Sequence, residues 1–134
     1  MIVLDCGGVD AGLLGSSNCL KTFNRGARGF VMSSGVRDTD ELILQKIPVW
    51  TSMISQGMVQ GRLQFESMDV TVCVGGVQVN PGDIIVADGD GVIVVPLEMA
   101  QKVGEKARSM NAEDRAERGE EYRKAGWELD STVD

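Results

Sequence analysis

Short valine-rich runs separated by glycine turns fill the stretch from residue 70 to residue 95. Valine occupies every second position from Val70 to Val74, which is typical of a strand with one buried face. The Gly75-Gly76 pair that follows predicts a hairpin turn into a strand at Val77–Val79. Two further strands are predicted on either side of the next glycine turn, at 84–87 and 92–95. The chain must therefore build part of its core from short, closely connected strands.

Upstream of these valine runs, the sequence predicts short strands and helices in alternation. Three short apolar runs predict strands: Met1–Asp5, Gly29–Met32 as a central strand, and Ile47–Thr51, whose proline favours a strand start or a sheet edge. The glycine-rich segment 6–15 is predicted as a loop. Ser16 or Ser17 is expected to cap a helix that reaches about Arg25. Ser33–Asp38 is predicted as a turn-rich loop, and a second short helix is expected to begin near Thr39.

The C-terminal part of the chain, from Leu97 to about Ala125, is predicted to be one helix that becomes increasingly charged. Its apolar stripe has a spacing of four residues and fades after Met110. The last residues, Asp130–Asp134, are expected to be disordered. We therefore expect one domain over residues 1–108, followed by a charged C-terminal helix and tail over residues 109–134.

Composition argues against several classes of function. The 134 residues include no histidine, which removes histidine-based triads and histidine metal ligands. The net charge of −7 argues against direct binding of nucleic acid, and no apolar run is long enough to predict a membrane span. The N-terminus does not resemble a signal peptide. Three cysteines without metal-type spacing, Cys6, Cys19 and Cys73, indicate reduced thiols and a cytoplasmic location.

Two blocks of the sequence carry a family resemblance. The first is Gly26–Val31 followed by Gly35-Val36-Arg37-Asp38, and the second runs from Val74 to Pro96 through Asn80-Pro81-Gly82-Asp83. With these blocks, the chain resembles the RraA-like family, which includes regulator of ribonuclease E activity A and the 4-hydroxy-4-methyl-2-oxoglutarate aldolases. The resemblance implies an α/β fold, a swivelling β/β/α sandwich, in homotrimers or hexamers. Family members usually begin upstream of the strand that matches Met1–Asp5, so the chain is expected to be N-terminally short.

The same resemblance implies roles for individual residues. The aldolases have an acid, 20 intervening residues and then Arg-Asp; here the 20 residues 17 to 36 separate Ser16 from Arg37-Asp38. Asp38 matches the ligand of a divalent metal, expected to be Mg²⁺. Arg37 matches the catalytic residue that holds the carboxylate or keto oxygen of the substrate. The family binds its substrate with a cradle of backbone N–H groups. Four consecutive residues of this chain match that cradle: Gly15, Ser16, Ser17 and Asn18.

Two hypotheses from different classes of function follow. The first is a metal-dependent aldolase or decarboxylase that releases pyruvate from small 2-oxo acids, either 4-hydroxy-4-methyl-2-oxoglutarate or oxaloacetate. The alternative is a non-catalytic regulator that binds a ribonuclease E-like partner, because Ser16 stands where the aldolases have an acid. Glu41 fits the pattern of such regulators, although it is first interpreted as an acid in the first turn of a helix. A methyltransferase is disfavoured, because no glycine-rich nucleotide loop follows a strand.

Overall fold

The computed structural model of the chain describes residues 1–133, which form short strands and α-helices. The strands are β1 (Ile2–Leu4), β2 (Gly12–Leu14), β3 (Phe30–Val36), β4 (Val49–Ile54), β5 (Val72–Val74), β6 (Val77–Val79), β7 (Ile84–Ala87) and β8 (Val92–Val95). The helices are α1 (Ser16–Phe23), α2 (Thr39–Leu44) and α3 (Ala100–Ala125). The chain divides into two compact units, Met1–Val94 and a second that begins at Val95. The boundary expected after residue 108 lies inside α3.

Strand β3 is the centre of the four-stranded sheet in the first unit. It pairs in parallel with β1, β2 and β4, so that Val31 lies between Val3 of β1 and Trp50 of β4. Parallel strands with neighbours on both edges are normally buried on both faces. Six of the seven residues of β3 are buried, and Phe30 and Met32 are among the largest fully buried side chains. The sheet therefore rests on β3, which confirms the predicted central strand.

The turn-rich loop predicted at Ser33–Asp38 was wrong, because β3 continues to Val36. Ser34 is fully buried, and its hydroxyl donates a hydrogen bond of 3.2 Å to the carbonyl oxygen of Ala11. A Cβ atom on Gly35 would lie 2.8 Å from the same carbonyl oxygen, which is closer than real Cβ contacts allow. The small residues are therefore explained by crowding within the sheet.

Other differences from the sequence-based predictions lie at the ends of elements. Gly15, in extended conformation, is the N-cap of α1 and makes no side-chain cap hydrogen bond, so the predicted serine cap was wrong. Helix α1 also ends at Phe23, and β2 forms within the segment that was predicted as a loop. Strand β4 begins directly after Pro48 and pairs only with β3 among the described strands, as expected for a proline-led edge strand.

The valine-rich stretch folds as predicted into paired short strands. β5 and β6 are antiparallel, and Val74 pairs with Val77 across the two-glycine turn. Gly75 and Gly76 both have positive φ angles, 62° and 80°, which other residues adopt only at a steric cost. Strands β7 and β8 form a second pair. The glycines in this stretch therefore serve the fold.

The second unit consists mainly of α3, which confirms the long helix predicted from Leu97 to Ala125. A short 3-10 turn at Leu97–Met99 precedes the helix, and Gly126 in left-handed conformation ends it. Residues 131–133 form a turn in the segment that was expected to be disordered, and residue 134 lies outside the described residues. Within residues 1–133, no helix combines the length and the apolar character needed to cross a membrane.

One side chain, Asp5, links three parts of the first unit. Its carboxylate accepts hydrogen bonds from the backbone N–H groups of Gly7 (3.0 Å) and Cys73 (3.2 Å) and from the hydroxyl of Ser33 (3.2 Å). These contacts join the end of β1 to β3 and to the hairpin strand β5. The Gly7 N–H, followed by the Cys73 N–H, lowers the pKa of the Asp5 carboxyl.

Replacing Asp5 by Asn should therefore weaken the protein in a pH-dependent way. A carboxyl with a lowered pKa in the folded state stabilises the fold above its unfolded pKa and loses this contribution as pH falls through the folded value. Because Asp5 is exposed and water screens its charge, we expect Asp5→Asn to lower the free energy of unfolding by less than about 1 kcal/mol at neutral pH. The difference from wild type should shrink in acid. Denaturant titrations at several pH values measure it, with Glu66→Gln as a control that removes one exposed charge; a pH-independent difference would contradict the role of ionised Asp5.

Candidate functional site

The candidate site lies where β3 ends and α2 begins. The backbone N–H of Arg37 still donates to the carbonyl oxygen of Leu14 in β2, at 3.0 Å. Asp38 then adopts a left-handed conformation, with φ 58° and ψ 41°, as the N-cap of α2. Both side chains reach the same neighbour, Gly15 at the start of α1. The structure thus brings together Arg37, Asp38 and the first residues of the predicted cradle, at the carboxyl end of parallel strands, where α/β proteins commonly bind ligands.

The Asp38 carboxylate is held by the beginning of α1. Its Oδ2 atom accepts a hydrogen bond of 3.1 Å from the backbone N–H of Ser16, the first residue of that helix. Unpaired N–H groups and the helix dipole make this end of a helix favourable for a negative charge. One of the four predicted cradle residues therefore binds a carboxylate of the protein itself. The next two residues of the predicted cradle, Ser17 and Asn18, are exposed.

Ser16 also contacts a second carboxylate. Its side chain is 5% exposed, and its hydroxyl donates a hydrogen bond to Oε2 of Glu41 in the first turn of α2. Ser16 is therefore hydrogen-bonded to both Asp38 and Glu41, through its backbone and its side chain respectively. The sequence-based interpretation placed Glu41 in the pattern of the regulators and first treated it as an acid in the first turn of a helix. Its position three residues after Asp38 was the available signal that it belongs with the site.

The guanidinium group of Arg37 is incompletely satisfied. Its Nη1 donates to the sulfur of Met58 at 3.4 Å, and a thioether is a weak acceptor. Its Nε is buried and has no hydrogen-bond partner among the described residues. Such buried unpaired donors are uncommon in folded proteins and require an explanation. A ligand oxygen would supply the missing acceptor.

Two glycines make room for these side chains. A Cβ atom on Gly15 would overlap Oδ2 of Asp38 and would lie 2.9 Å from Nε of Arg37. A Cβ atom on Gly12 would overlap the carbonyl oxygen of Ser55 and would lie 3.4 Å from the Arg37 side chain. Neither glycine has the positive φ angle that commonly explains a glycine. Close approach of other atoms is therefore the reason for glycine at both positions.

An open cleft of about 460 Å³ lies against this group of residues. It is lined by the consecutive residues 37–41 together with Ile54 and Gln56, so that one guanidinium and three carboxylates border it. Among residues 1–133, no group of three His, Cys, Asp or Glu side chains could hold a metal ion. Mg²⁺ prefers oxygen ligands and keeps several waters, so one carboxylate can suffice. The donor atoms at Asp38 fit a largely hydrated Mg²⁺ ion better than a metal that needs a full set of protein ligands.

Cys19, which lies near the cradle, is a packing residue. It is fully buried in the core cluster with Phe30 and Met32. Burial, followed by the negative charge of Asp38, raises the pKa of its thiol. The thiol therefore stays protonated at neutral pH and is a poor nucleophile.

Comparison with known proteins identifies a family, related sequences and related solved structures. Residues 1–94 match the RraA-like family, described as Aldolase/RraA. Provisionally named 4-hydroxy-4-methyl-2-oxoglutarate aldolases from Halalkalibacterium halodurans and Pseudomonas putida are 32% identical over 93 residues and 36% identical over 104 residues. A solved structure from Streptomyces coelicolor, described as an unusual member of the RNase ES inhibitor RraA family, superposes with a TM-score of 0.76 at 30% identity.

These matches cover most of this chain but only part of each relative. They cover 68% and 75% of this chain in the two sequence relatives and 87% in the solved structure. The chain spans 43% of the first relative, 63% of the second and 61% of the solved structure. The family match over residues 1–94 contains β1 to β4, and therefore Arg37, Asp38 and Gly15.

Replacing Gly15 by Ala tests whether the side chains of Asp38 and Arg37 require a glycine at this position. The added methyl group must displace Asp38 and Arg37, and we expect a loss of about 1–3 kcal/mol in the free energy of unfolding. Gly104→Ala, inside α3, is the matched control: its Cβ would have no contact nearer than 3.7 Å, and we expect it to stabilise the helix by roughly 0.5–1 kcal/mol. Denaturant titration measures both. Equal effects at the two positions would contradict the crowding at Gly15.

Replacing Ser16 by Asp tests the contact with Glu41. The new carboxylate would face the Glu41 carboxylate at a buried position, so Ser16→Asp alone should lower the free energy of unfolding by about 1–3 kcal/mol. Combining it with Glu41→Gln removes one of the two charges and should recover much of this loss. A double-mutant cycle measures the coupling, and strictly additive effects would show that the two side chains do not interact.

Proposed function

Because this chain belongs to the RraA-like family, we propose that its Arg37–Asp38 site cleaves small 2-oxo acids to release pyruvate. The substrates in question are 4-hydroxy-4-methyl-2-oxoglutarate, by retro-aldol cleavage, and oxaloacetate, by decarboxylation. In both, the bond that breaks joins the carbon next to the keto group to the departing fragment, and the same three-carbon product remains. One site can therefore serve both reactions.

The observation that carries this proposal is the unpaired Nε of Arg37 beside the anchored carboxylate of Asp38. A buried guanidinium donor without a partner favours an anionic ligand with acceptor oxygens, such as a 2-oxo acid. A carboxylate a short distance away favours a cation. A 2-oxo acid with a divalent cation satisfies both groups at once.

Each group then has a distinct part in the chemistry. Arg37 binds the carboxylate or keto oxygen through its planar fork, and we assign the backbone N–H groups of Ser17 and Asn18 to the same anion. Asp38 is oriented by the Ser16 N–H and is the residue that would hold Mg²⁺. When bound, that ion polarises the keto group and stabilises negative charge as the carbon–carbon bond breaks.

Glu41 is the residue that we assign to proton transfer. Retro-aldol cleavage requires a base that removes the proton of the substrate hydroxyl, and the chain has no histidine to do so. Glu41 lines the cleft, and the Ser16 hydroxyl fixes one of its oxygens. Its second oxygen can accept a proton from the substrate or through one water. Decarboxylation needs no such base, so the two reactions should depend on Glu41 to different extents.

A regulator of a ribonuclease is the second candidate function. Two observations favour it: Ser16 replaces the acid of the aldolase pattern, and the Streptomyces coelicolor structure is described as belonging to an RNase inhibitor family. The chain also presents apolar side chains on α2, where Ile43 and Leu44 are 73% and 82% exposed. Such side chains suit a protein partner better than a small polar substrate.

The test is pyruvate release from oxaloacetate and from 4-hydroxy-4-methyl-2-oxoglutarate, with Mg²⁺ and with a chelator. We expect Mg²⁺-dependent turnover that falls at least about 100-fold in Asp38→Asn and in Arg37→Lys, since one loses a charge and the other its two-pronged donor. Glu41→Gln should impair retro-aldol cleavage more than decarboxylation. Asp40→Asn, which removes a neighbouring carboxylate of the same cleft, is the matched control and should retain most of the activity.

Three results would each rule out a different assignment. Folded wild-type protein that releases no pyruvate from either substrate would refute the lyase, and inhibition of a ribonuclease E-like enzyme would then support the regulator. An Asp38→Asn variant that turns over like wild type would refute Asp38 as the metal ligand. Inhibition of the ribonuclease that is unchanged in Asp38→Asn would place the partner surface outside this site.

A further inference from the structure

The segment from Ser55 to Leu63 lies beside the candidate site and is tied to the region of β2. The carbonyl oxygen of Gly57 accepts a hydrogen bond of 2.7 Å from the backbone N–H of Gly12. The guanidinium Nη1 of Arg62 donates to the carbonyl oxygen of Asp10 at 3.0 Å. These two contacts fix the segment on either side of its most exposed apolar residue. That residue is Met58.

Met58 is the acceptor that the segment offers to Arg37. Its sulfur lies 3.4 Å from Nη1 of Arg37, while its side chain is 53% exposed. A thioether sulfur holds a guanidinium only weakly, because it is a poor acceptor. The same guanidinium has a buried Nε without a partner. Without a ligand, Arg37 is therefore restrained by Met58 but not satisfied by it.

We propose that Met58 is the resident hydrogen-bond partner of Arg37 in the ligand-free site and competes with the ligand, which displaces it. This inference rests on the proposed function, in which Arg37 binds an oxo-acid anion. Met58 holds the fork next to Gly15 while no ligand is bound, and it yields Nη1 to a ligand oxygen. The ligand class that gains most from this exchange has two adjacent acceptor oxygens, because they can bridge Nη1 and Nη2 at the end of the fork, whereas the single sulfur of Met58 reaches Nη1 alone. A carboxylate with a neighbouring keto group has this arrangement, and a simple ketone does not.

Two substitutions at position 58 should change the dissociation constant of the ligand differently. A contact made only in the ligand-free state opposes binding, so a stronger acceptor weakens binding and a missing acceptor strengthens it. Met58→Gln supplies an amide oxygen at similar length, and we expect an increase of about tenfold in the dissociation constant. Met58→Leu keeps the bulk without an acceptor, and its dissociation constant should equal or fall below that of wild type. In turnover, KM should follow this order while kcat stays unchanged.

The probe is oxalate, a small dianion with adjacent acceptor oxygens, titrated by calorimetry in the presence of Mg²⁺. A second readout is the NMR signal of the Arg37 Nε–Hε group in the ligand-free protein, assigned by its absence in Arg37→Lys. We expect this group to be more mobile in Met58→Leu and less mobile in Met58→Gln than in wild type. Met68→Gln, at another exposed methionine, is the control and should change neither readout.

The outcomes separate this inference from the function on which it rests. Equal dissociation constants for wild type and Met58→Gln, or equal weakening by Leu and Gln, would overturn the role of Met58 as a displaced acceptor. If Arg37→Lys binds oxalate as tightly as wild type, the proposed function fails instead. The ligand-free NMR signal still distinguishes the two, since it depends only on the contact between Met58 and Arg37.

Discussion

The hydrogen bond between the Asp38 carboxylate and the backbone N–H of Ser16 sets the geometry of the whole site. It joins the residue after β3 to the first residue of α1, across 22 positions of the sequence. The bond forms only because Gly15 has no side chain at the place that Asp38 Oδ2 occupies. The left-handed backbone of Asp38, which costs about 1–3 kcal/mol in a residue other than glycine, directs the carboxylate there. A charge-assisted hydrogen bond at a helix N-terminus helps to offset this cost.

The parts of the fold that the sequence predicted well are those with local causes. The hairpin at Gly75-Gly76 depends on turn residues and on valine alternation, and both can be recognised within ten residues. The end of β3 could not be predicted in the same way, since Ser33, Ser34 and Gly35 are also typical of turns. Ser34 and Gly35 lie in a strand that packs closely against Ala11, more than 20 residues away. The small residues at the end of β3 are therefore required by the tight packing of the parallel sheet and do not form a turn.

In the candidate site, too, features with local causes could be predicted from the sequence and long-range contacts could not. Arg37 and Asp38 could be singled out because they are adjacent and belong to a recognisable motif. The contacts that give them their environment are long-range: Ser16 with Glu41 spans 25 positions, and Arg37 with Met58 spans 21. The sequence suggested that Ser16 caps a helix, because serine commonly does so. In the structure its hydroxyl is committed to Glu41, and glycine takes the cap position.

Charge balance at Ser16 bears on the choice between enzyme and regulator. Asp38 and Glu41 place two carboxylates around Ser16, and the N–H and hydroxyl of this one neutral residue each bind one of them. An acid at position 16 would put three carboxylates next to the single guanidinium of Arg37, with no hydroxyl left to donate. Positions 16 and 41 lie side by side, so a carboxylate at one of them can take the place of a carboxylate at the other. The loss of the acid at 16 alone is thus a weak argument against lyase chemistry, because Glu41 provides a carboxylate at the same place.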